Sequence, residues 1–457
     1  MKVFIENLGV LKKTDFEVGN LTIICGANNT GKTYATYALY GFLDFWQEDF
    51  NYYFLDDTDL ENFFQNCAIE IKTIEPQKLV DIACNEYIKH LPRVFATRSV
   101  LLKDTSFKVL INEIDINDLE KNIRINGRID EPMIEFFKKK GESSISIRLS
   151  EKIENPDIKT KDWLIFRINK TIFDYFYLNI FPVPFIASIE RTGAAIFQKE
   201  LDFTRSRLLE HINNQDKEIN PLALLDTLYI SGYALPVNMD VNFTRGIENV
   251  EKKESVIAQK HPDIIRLFEK ISGGKYGSSQ KGLYFIPEKN KVRLAMGESS
   301  SSVRSLLNIG FYIKHILKPG DFFMIDEPEL NLHPKNQRNF ARLLAKLINA
   351  GVNIYITTHS DYILKEFNTL IMLHNIGDRK TYLIKKYEYE ENELLDENKI
   401  KAYIAKKALI EIDGFKKKQK NNTIIPTKIN KQGIEISEFD DTINEMNDIQ
   451  DDILYGE

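Results

Sequence analysis

Gly26-Ala27-Asn28-Asn29-Thr30-Gly31-Lys32-Thr33 is the stretch on which the fold turns. It matches G-x-x-x-x-G-K-[ST], a pattern whose backbone N–H groups cradle phosphate. Before it, Leu21 to Cys25 is a continuous apolar run, as expected for a strand buried on both faces of a sheet. After it, the pattern predicts a helix from Lys32 to about Trp46. Gly26 and Gly31 let the chain curl round an anion at a helix N-terminus, where the dipole favours negative charge. Lys32 supplies a point charge for the β- and γ-phosphates of a nucleotide, and the Thr33 hydroxyl is a ligand for Mg²⁺. The flanking strand and helix separate this run from a chance Gly-rich turn.

Working outward, Phe322-Phe323-Met324-Ile325-Asp326-Glu327 is an apolar strand ending in two acids. Such a strand, emerging beside the phosphate loop, puts Asp326 on the Mg²⁺ shell. Glu327 then faces the γ-phosphate as the general base for a water. The continuation Pro328-Glu329-Leu330-Asn331-Leu332-His333-Pro334 resembles the Walker B and D-loop of the ABC ATPase class. A third apolar run, Ile354 to Thr358, leads into His359, which resembles the switch histidine of that class and would stabilise charge in the transition state. Where the class carries its signature, this chain has Glu298-Ser299-Ser300-Ser301-Ser302-Val303-Arg304 before an apolar helix. Ser300, Ser301 and Ser302 are the candidate ligands for the γ-phosphate held by an opposite subunit. Ser302 stands where the family has glycine.

Together these motifs resemble the AAA-type ABC ATPases of the OLD, PtuA (Septu) and AriA (PARIS) group, related to SMC and RecF heads. The resemblance covers the first 50 or so residues and about 270 to 370. It implies ATP and Mg²⁺ as ligands, head-to-head dimers or larger homo-oligomers, and a bacterial anti-phage ATPase acting with a nuclease or toxin effector encoded nearby. No Toprim pattern follows His359, so the reading is a stand-alone subunit closer to PtuA or AriA than to OLD. Phe185 to Gly193 resembles an Arg-containing turn near the nucleotide in such proteins, and Gln198, with Gln47 as alternative, is a candidate Q-loop ligand.

The expected fold is an α/β P-loop NTPase: an ABC/SMC-type head with a mixed sheet, a helical or mixed insertion and a C-terminal extension. The boundaries read as residues 1–48 (first lobe), 49–180 (insertion, with strands expected near Phe107–Ile111, Ile145–Leu149 and Trp163–Ile168), 181–202 (head strand), 203–272 (helical), 273–380 (second lobe) and 381–457 (extension). From Phe439, Ile443, Met446, Ile449 and Ile453 recur at helical spacing among acids, predicting an acidic amphipathic helix for a basic partner or for the chain's own head.

A charged fraction of 28% reads as a soluble globular protein, and no window approaches the roughly 18 apolar residues of a membrane span. Cys25, Cys67 and Cys84 are too few and too scattered for a disulfide framework, which reads as a cytoplasmic, reducing compartment. The net charge of -6 gives no global signal for nucleic acid, although a RecF/SMC-like ATPase binding DNA in repair is the alternative function. Lys138–Lys140 and Lys416–Lys418 are the short basic runs that such contact would use. A transporter subunit is disfavoured by the long insertions and the departure from the transporter signature.

Overall fold

The computed structural model describes residues 1–55, 57–114, 116–125, 133–153, 157–196, 232–280, 282–412 and 417–435, with 446, 448–451 and 453. The chain forms two compact units. The larger comprises residues 2–41, 88–107 and 183 onward; the smaller comprises 42–87 and 108–182, with Met1.

The chain opens with an antiparallel hairpin of β1 (Lys2–Leu8) and β2 (Leu11–Glu17), in which Leu8 pairs with Leu11. Alternation buries Val3 and Ile5 on one strand and Thr14 and Phe16 on the other, and Leu11 is buried where β2 begins. β3 (Leu21–Cys25) is buried at every position, and α1 (Lys32–Asp44) follows the loop.

In the smaller unit, α2 (Asp57–Asn66), β4 (Ala68–Lys72) and α3 (Pro76–Tyr87) come first. After β5 (Ser106–Leu110) the strands β6 (Lys121–Ile125), β7 (Ile134–Lys138) and β8 (Ser144–Leu149) complete an antiparallel sheet in the order β4-β8-β7-β6. The segment expected as a strand at Trp163–Ile168 is instead the middle of α4 (Ile158–Ile172). The Asp157 carboxylate accepts from the Thr160 N–H at 2.8 Å and caps the helix. Leu164, Ile168 and Ile172 then form one buried stripe four residues apart. Over fifteen residues that period overrides a short alternating run.

The larger unit continues with β9 (Pro184–Ala187), α5 (Leu235–Val250) and α6 (Pro262–Ser272). A small antiparallel sheet follows, of β10 (Gly274–Gly277), β11 (Tyr284–Pro287) and β12 (Leu294–Ala295). Next come α7 (Ser301–His315), β13 (Phe322–Asp326), α8 (Pro334–Asn349), β14 (Asn353–Thr358) and α9 (Asp361–Asn375). The last long strands are β15 (Ile400–Ile410) and β16 (Gln419–Pro426).

The main sheet is mixed and runs β5-β1-β2-β16-β15-β3-β14-β13-β9. Its centre is parallel: β15, β14, β13 and β9 all run with β3 through successive pairings. Ile264 and Phe268 of α6, Leu306 of α7, Leu344 of α8 and Phe367 of α9 pack with Ile23, Ile325 and Ile354 in one apolar core. Coverage by helices explains why β3 and β13 read as unbroken apolar runs.

Residues 400–426 fall within the stretch that the sequence pattern set apart as an extension, yet β15 lies beside the phosphate-loop strand, Ile404 opposite Cys25. Ala402, Tyr403, Ile404 and Ala405 are buried, while the strand's far end, with Lys407 exposed, is half-solvated. That mixed composition hides a central strand from a search for apolar runs.

Candidate functional site

The loop between β3 and α1 is shaped by backbone that only certain residues tolerate. Gly26 has φ 136° and Gly31 φ 106°, and Asn29 sits at 61°. A Cβ at Gly26 would lie 2.4 Å from the Ala405 carbonyl oxygen of β15, so close strand packing as well as conformation demands glycine there. The Lys32 ammonium folds back over its own loop, donating to the carbonyls of Gly26 (2.7 Å) and Ala27 (2.9 Å). Burial holds its pKa below the ordinary lysine value, against the opposing pull of Glu327, Asp326 and Glu329. A partly desolvated cation at the N-terminal end of α1 is poised for an anion.

The register of the parallel strands gathers the other groups at this edge. Thr358 pairs with Cys25, and Thr357 pairs with Asp326, so loop, acids and histidine leave three adjacent strands at their C-terminal ends. The Thr33 hydroxyl donates to Asp326 Oδ2 at 3.4 Å, and the Thr357 hydroxyl donates to Asp326 Oδ1. Burial pushes the Asp326 carboxyl up to about 6, with the Thr357 hydrogen bond pulling the other way. His359 Nδ1 stands 3.4 Å from Glu327 Oε1 and 3.4 Å from Glu329 Oε1. Glu329 is buried, which raises its pKa; its Oε1 accepts from the His359 N–H (2.8 Å) and the Thr358 hydroxyl (2.9 Å). Lys32, Thr33, Asp326, Glu327 and His359 are thus linked, directly or through neighbours, in one cluster.

The oxygen pair Thr33 Oγ1 and Asp326 Oδ2 has the chemistry of a hard-cation site. One hydroxyl and one carboxylate suit Mg²⁺, which takes few protein ligands and fills its shell with water and phosphate oxygens. The residues present fit that ion.

Ser300 is the N-cap of α7: its Oγ accepts from the Val303 N–H at 3.3 Å and lies 2.9 Å from Ser302 Oγ. Ser300 and Ser301 are exposed and Ser302 half-buried. Among the described residues no hydrogen bond joins these three side chains directly to Lys32, Thr33, Asp326, Glu327 or His359, and Ser300 and Ser301 face solvent.

A family model described as "AAA ATPase domain" matches residues 1–364, which include the phosphate loop, both acids and the histidine. The chain belongs to the AAA ATPase domain family. It is therefore an ATP-hydrolysing enzyme. Among solved structures, an Smc head bound to the C-winged helix domain of ScpA is similar at 14% identity and TM-score 0.33, covering 94% of this chain and 98% of that one. The SMC head domain from Thermotoga maritima has 10% identity and TM-score 0.28, with 94% and 98% covered. An Smc head domain with an extended coiled coil, bound to the C-terminal domain of ScpA derived from Pyrococcus furiosus, has 13% identity and TM-score 0.29, with 98% of each chain covered. No curated protein matches the sequence. The assignment rests on the family match and the geometry above.

Beyond the expected residues, the structure adds Arg191 to this AAA ATPase site. Its guanidinium is buried and donates to the carbonyls of Ser188 (2.7 Å), Asp326 (2.7 Å), Glu327 (2.7 Å) and Ser305 (2.9 Å). The sequence marked an arginine-bearing turn here, but no local pattern shows that its partners are backbone carbonyls 114 to 136 residues away. Thr357, Thr358 and Glu329 were also missed as supports; two threonines directly before His359 were the available signal.

Close to Arg191, Asp240 of α5 is fully buried and accepts from the Ser188 N–H (2.8 Å) and the Asn308 amide (3.0 Å). Burial pushes its carboxyl from 3.8 up to about 6. The folded state therefore holds this proton more tightly than the unfolded chain. The contribution to stability is largest below pH 3.8 and is lost as pH rises through about 6, a change of at most about 3 kcal/mol. In Asp240→Asn that component disappears. The melting-temperature difference between wild type and variant is expected to move against wild type between pH 4.5 and 6.5, by differential scanning calorimetry. A difference that stays constant with pH would contradict this.

Gln198 lies outside the described residues, as do Lys416, Phe439 and Ile443. Gln47 donates its amide to the Phe181 (3.0 Å) and Leu178 (3.4 Å) carbonyls, a structural use. Lys138 is buried, donating to the carbonyls of Lys139 and Glu142, while Lys139 pairs with Glu142 at 3.6 Å. Lys138–Lys140 is thus no free basic run. Of the tail, Met446, Ile449 and Ile453 are exposed. No helix among the described residues is long and apolar enough to cross a membrane.

Proposed function

We propose that this AAA ATPase acts as a head-to-head dimer of ABC type, and that it is a bacterial anti-phage defence subunit whose ATP cycle controls a partner effector, a nuclease or toxin. One observation carries the dimer: the hydrolytic cluster and the Ser300 helix end are both formed, yet among the described residues the hydroxyls of Ser300, Ser301 and Ser302 make no hydrogen bond to Lys32, Thr33, Asp326, Glu327 or His359. A second copy turned face to face would bring Ser300, Ser301 and Ser302 to the phosphate that Lys32 of the first copy holds. The loop of Gly26, Ala27, Asn28, Asn29, Thr30 and Gly31 would wrap the phosphates, and Thr33 with Asp326 would hold Mg²⁺, which would supply neutralisation of phosphate charge. Glu327 takes a proton from water as the water oxygen bonds to the γ-phosphorus. The bond from that phosphorus to the β,γ-bridging oxygen breaks, leaving ADP and phosphate, with His359 stabilising the developing charge. The defence reading is supported by the motif set DEPELNLHP and THSDYIL, and the exposed, acid-flanked Met446, Ile449 and Ile453 offer an effector a surface.

The test is Ser300→Arg, which places a bulky cation at the face while leaving Lys32 untouched. Sedimentation with ATP should show wild type as a dimer and the variant as a monomer that still binds nucleotide through its own Lys32 loop. In cells carrying the gene and its neighbouring reading frames, phage plaques should rise in the variant. Normal dimers in the variant would refute the composite site, and intact dimers of wild type without any protection from phage would refute the defence role.

A further inference from the structure

We infer that Arg191 is a positioning residue for hydrolysis, locking the backbone that carries the Glu327 side chain and the N-terminal part of the serine-capped helix α7 into one rigid block. Its four acceptors come from three separate segments: the turn after β9 (Ser188), the end of β13 (Asp326 and Glu327) and α7 (Ser305). The planar fork of a guanidinium meets such a divergent set, whereas the point charge of lysine does not.

Glu327 needs this support. It is a non-glycine residue at φ 53°, in the left-handed region that side chains disfavour. Conformations of that kind persist only where surrounding bonds over-determine them. Here the Glu327 N–H donates to Thr357 O and Oγ1, both at 3.2 Å, and its carbonyl accepts from Arg191 Nη2 at 2.7 Å. Both peptide groups of the residue are pinned, and the result is a side chain aimed at His359. A second strut runs parallel: the single proton of Ser305 Oγ is shared between the Leu330 carbonyl at 3.1 Å and the Ser302 carbonyl at 3.0 Å, which links the N-terminal part of α7 to the loop after the acids. In a face-to-face dimer, α7 presents Ser300 to the neighbour's nucleotide. The block therefore makes the base of one site and the serines of the other move as a unit.

The inference rests on Glu327 as the base, and the experiment separates the two. In Arg191→Lys, kcat should fall roughly 10- to 100-fold while the Kd for ATP stays within about 3-fold of wild type, because the phosphate loop is untouched. Added to Glu327→Gln, the same change should cost less than about 2-fold more, since both act on one step. Wild-type turnover in a normally melting Arg191→Lys, or losses that multiply in the double variant, would overturn the inference. Wild-type turnover in Glu327→Gln would instead overturn the base assignment beneath it. If Arg191→Lys does not fold, Arg191→Gln decides. It removes the buried charge together with the fork and should lower kcat by at least about 10-fold at unchanged ATP affinity; unchanged kcat there also overturns the inference.

Discussion

Lys32→Ala is expected to weaken ATP binding by about 100-fold or more, read by titration with a fluorescent nucleotide. The ammonium already sits inside the loop, held by the Gly26 and Ala27 carbonyls at 2.7 and 2.9 Å. Phosphate oxygens would be stronger, charged acceptors for the same donors. Alanine removes the only full positive charge within the loop itself. It also leaves Glu327, Asp326 and Glu329 to repel an anion, since these are the groups whose negative charge acts on Lys32. The fold should survive: Gly26 and Gly31 keep their conformations, and α1 keeps its hydrogen bond from Ala35 to the Gly31 carbonyl. Undiminished binding in a well-folded variant would remove the phosphate-loop assignment.

Glu327→Gln should leave that binding intact and lower kcat roughly 10²- to 10⁴-fold, the range for loss of a general base. Glutamine matches the size of glutamate, and the backbone at φ 53° is held by Thr357 and Arg191 through peptide groups that the substitution does not alter. Only the capacity to accept a proton is lost. In the proposed face-to-face dimer ATP should then accumulate unhydrolysed, visible as a dimer that persists in single-turnover conditions while wild type returns to monomers. Hydrolysis at the wild-type rate would show that another group activates the water. Comparing the two variants separates binding from chemistry, because Lys32 acts on both and Glu327 on the second alone.

The legible part of this protein is local. The phosphate loop reads from eight consecutive residues because phosphate cradling needs glycines and a lysine at fixed offsets along one turn. The acids read from the end of β13 because a strand buried on both faces must be apolar until it leaves the sheet, so the first charges mark its end. His359 reads for the same reason at the end of β14. The Trp163–Ile168 segment misled because six residues of alternation carry less information than the fifteen-residue stripe and Asp157 cap that enclose them. β15 was hidden because only its first half is buried, and its lysines match a surface segment.

What the sequence determined by itself is therefore the chemistry of each piece: a phosphate loop, a pair of acids, a histidine and a serine-capped helix, each encoded by residues within a few positions of one another. What the tertiary structure alone decided is their assembly. The pairing of Thr358 with Cys25 and of Asp326 with Thr357, the approach of Ala405 to Gly26, and the reach of Arg191 to carbonyls more than a hundred residues away depend on strand order and register. Backbone carbonyls carry no residue identity, so bonds made to them leave no trace in the sequence beyond the arginine that donates.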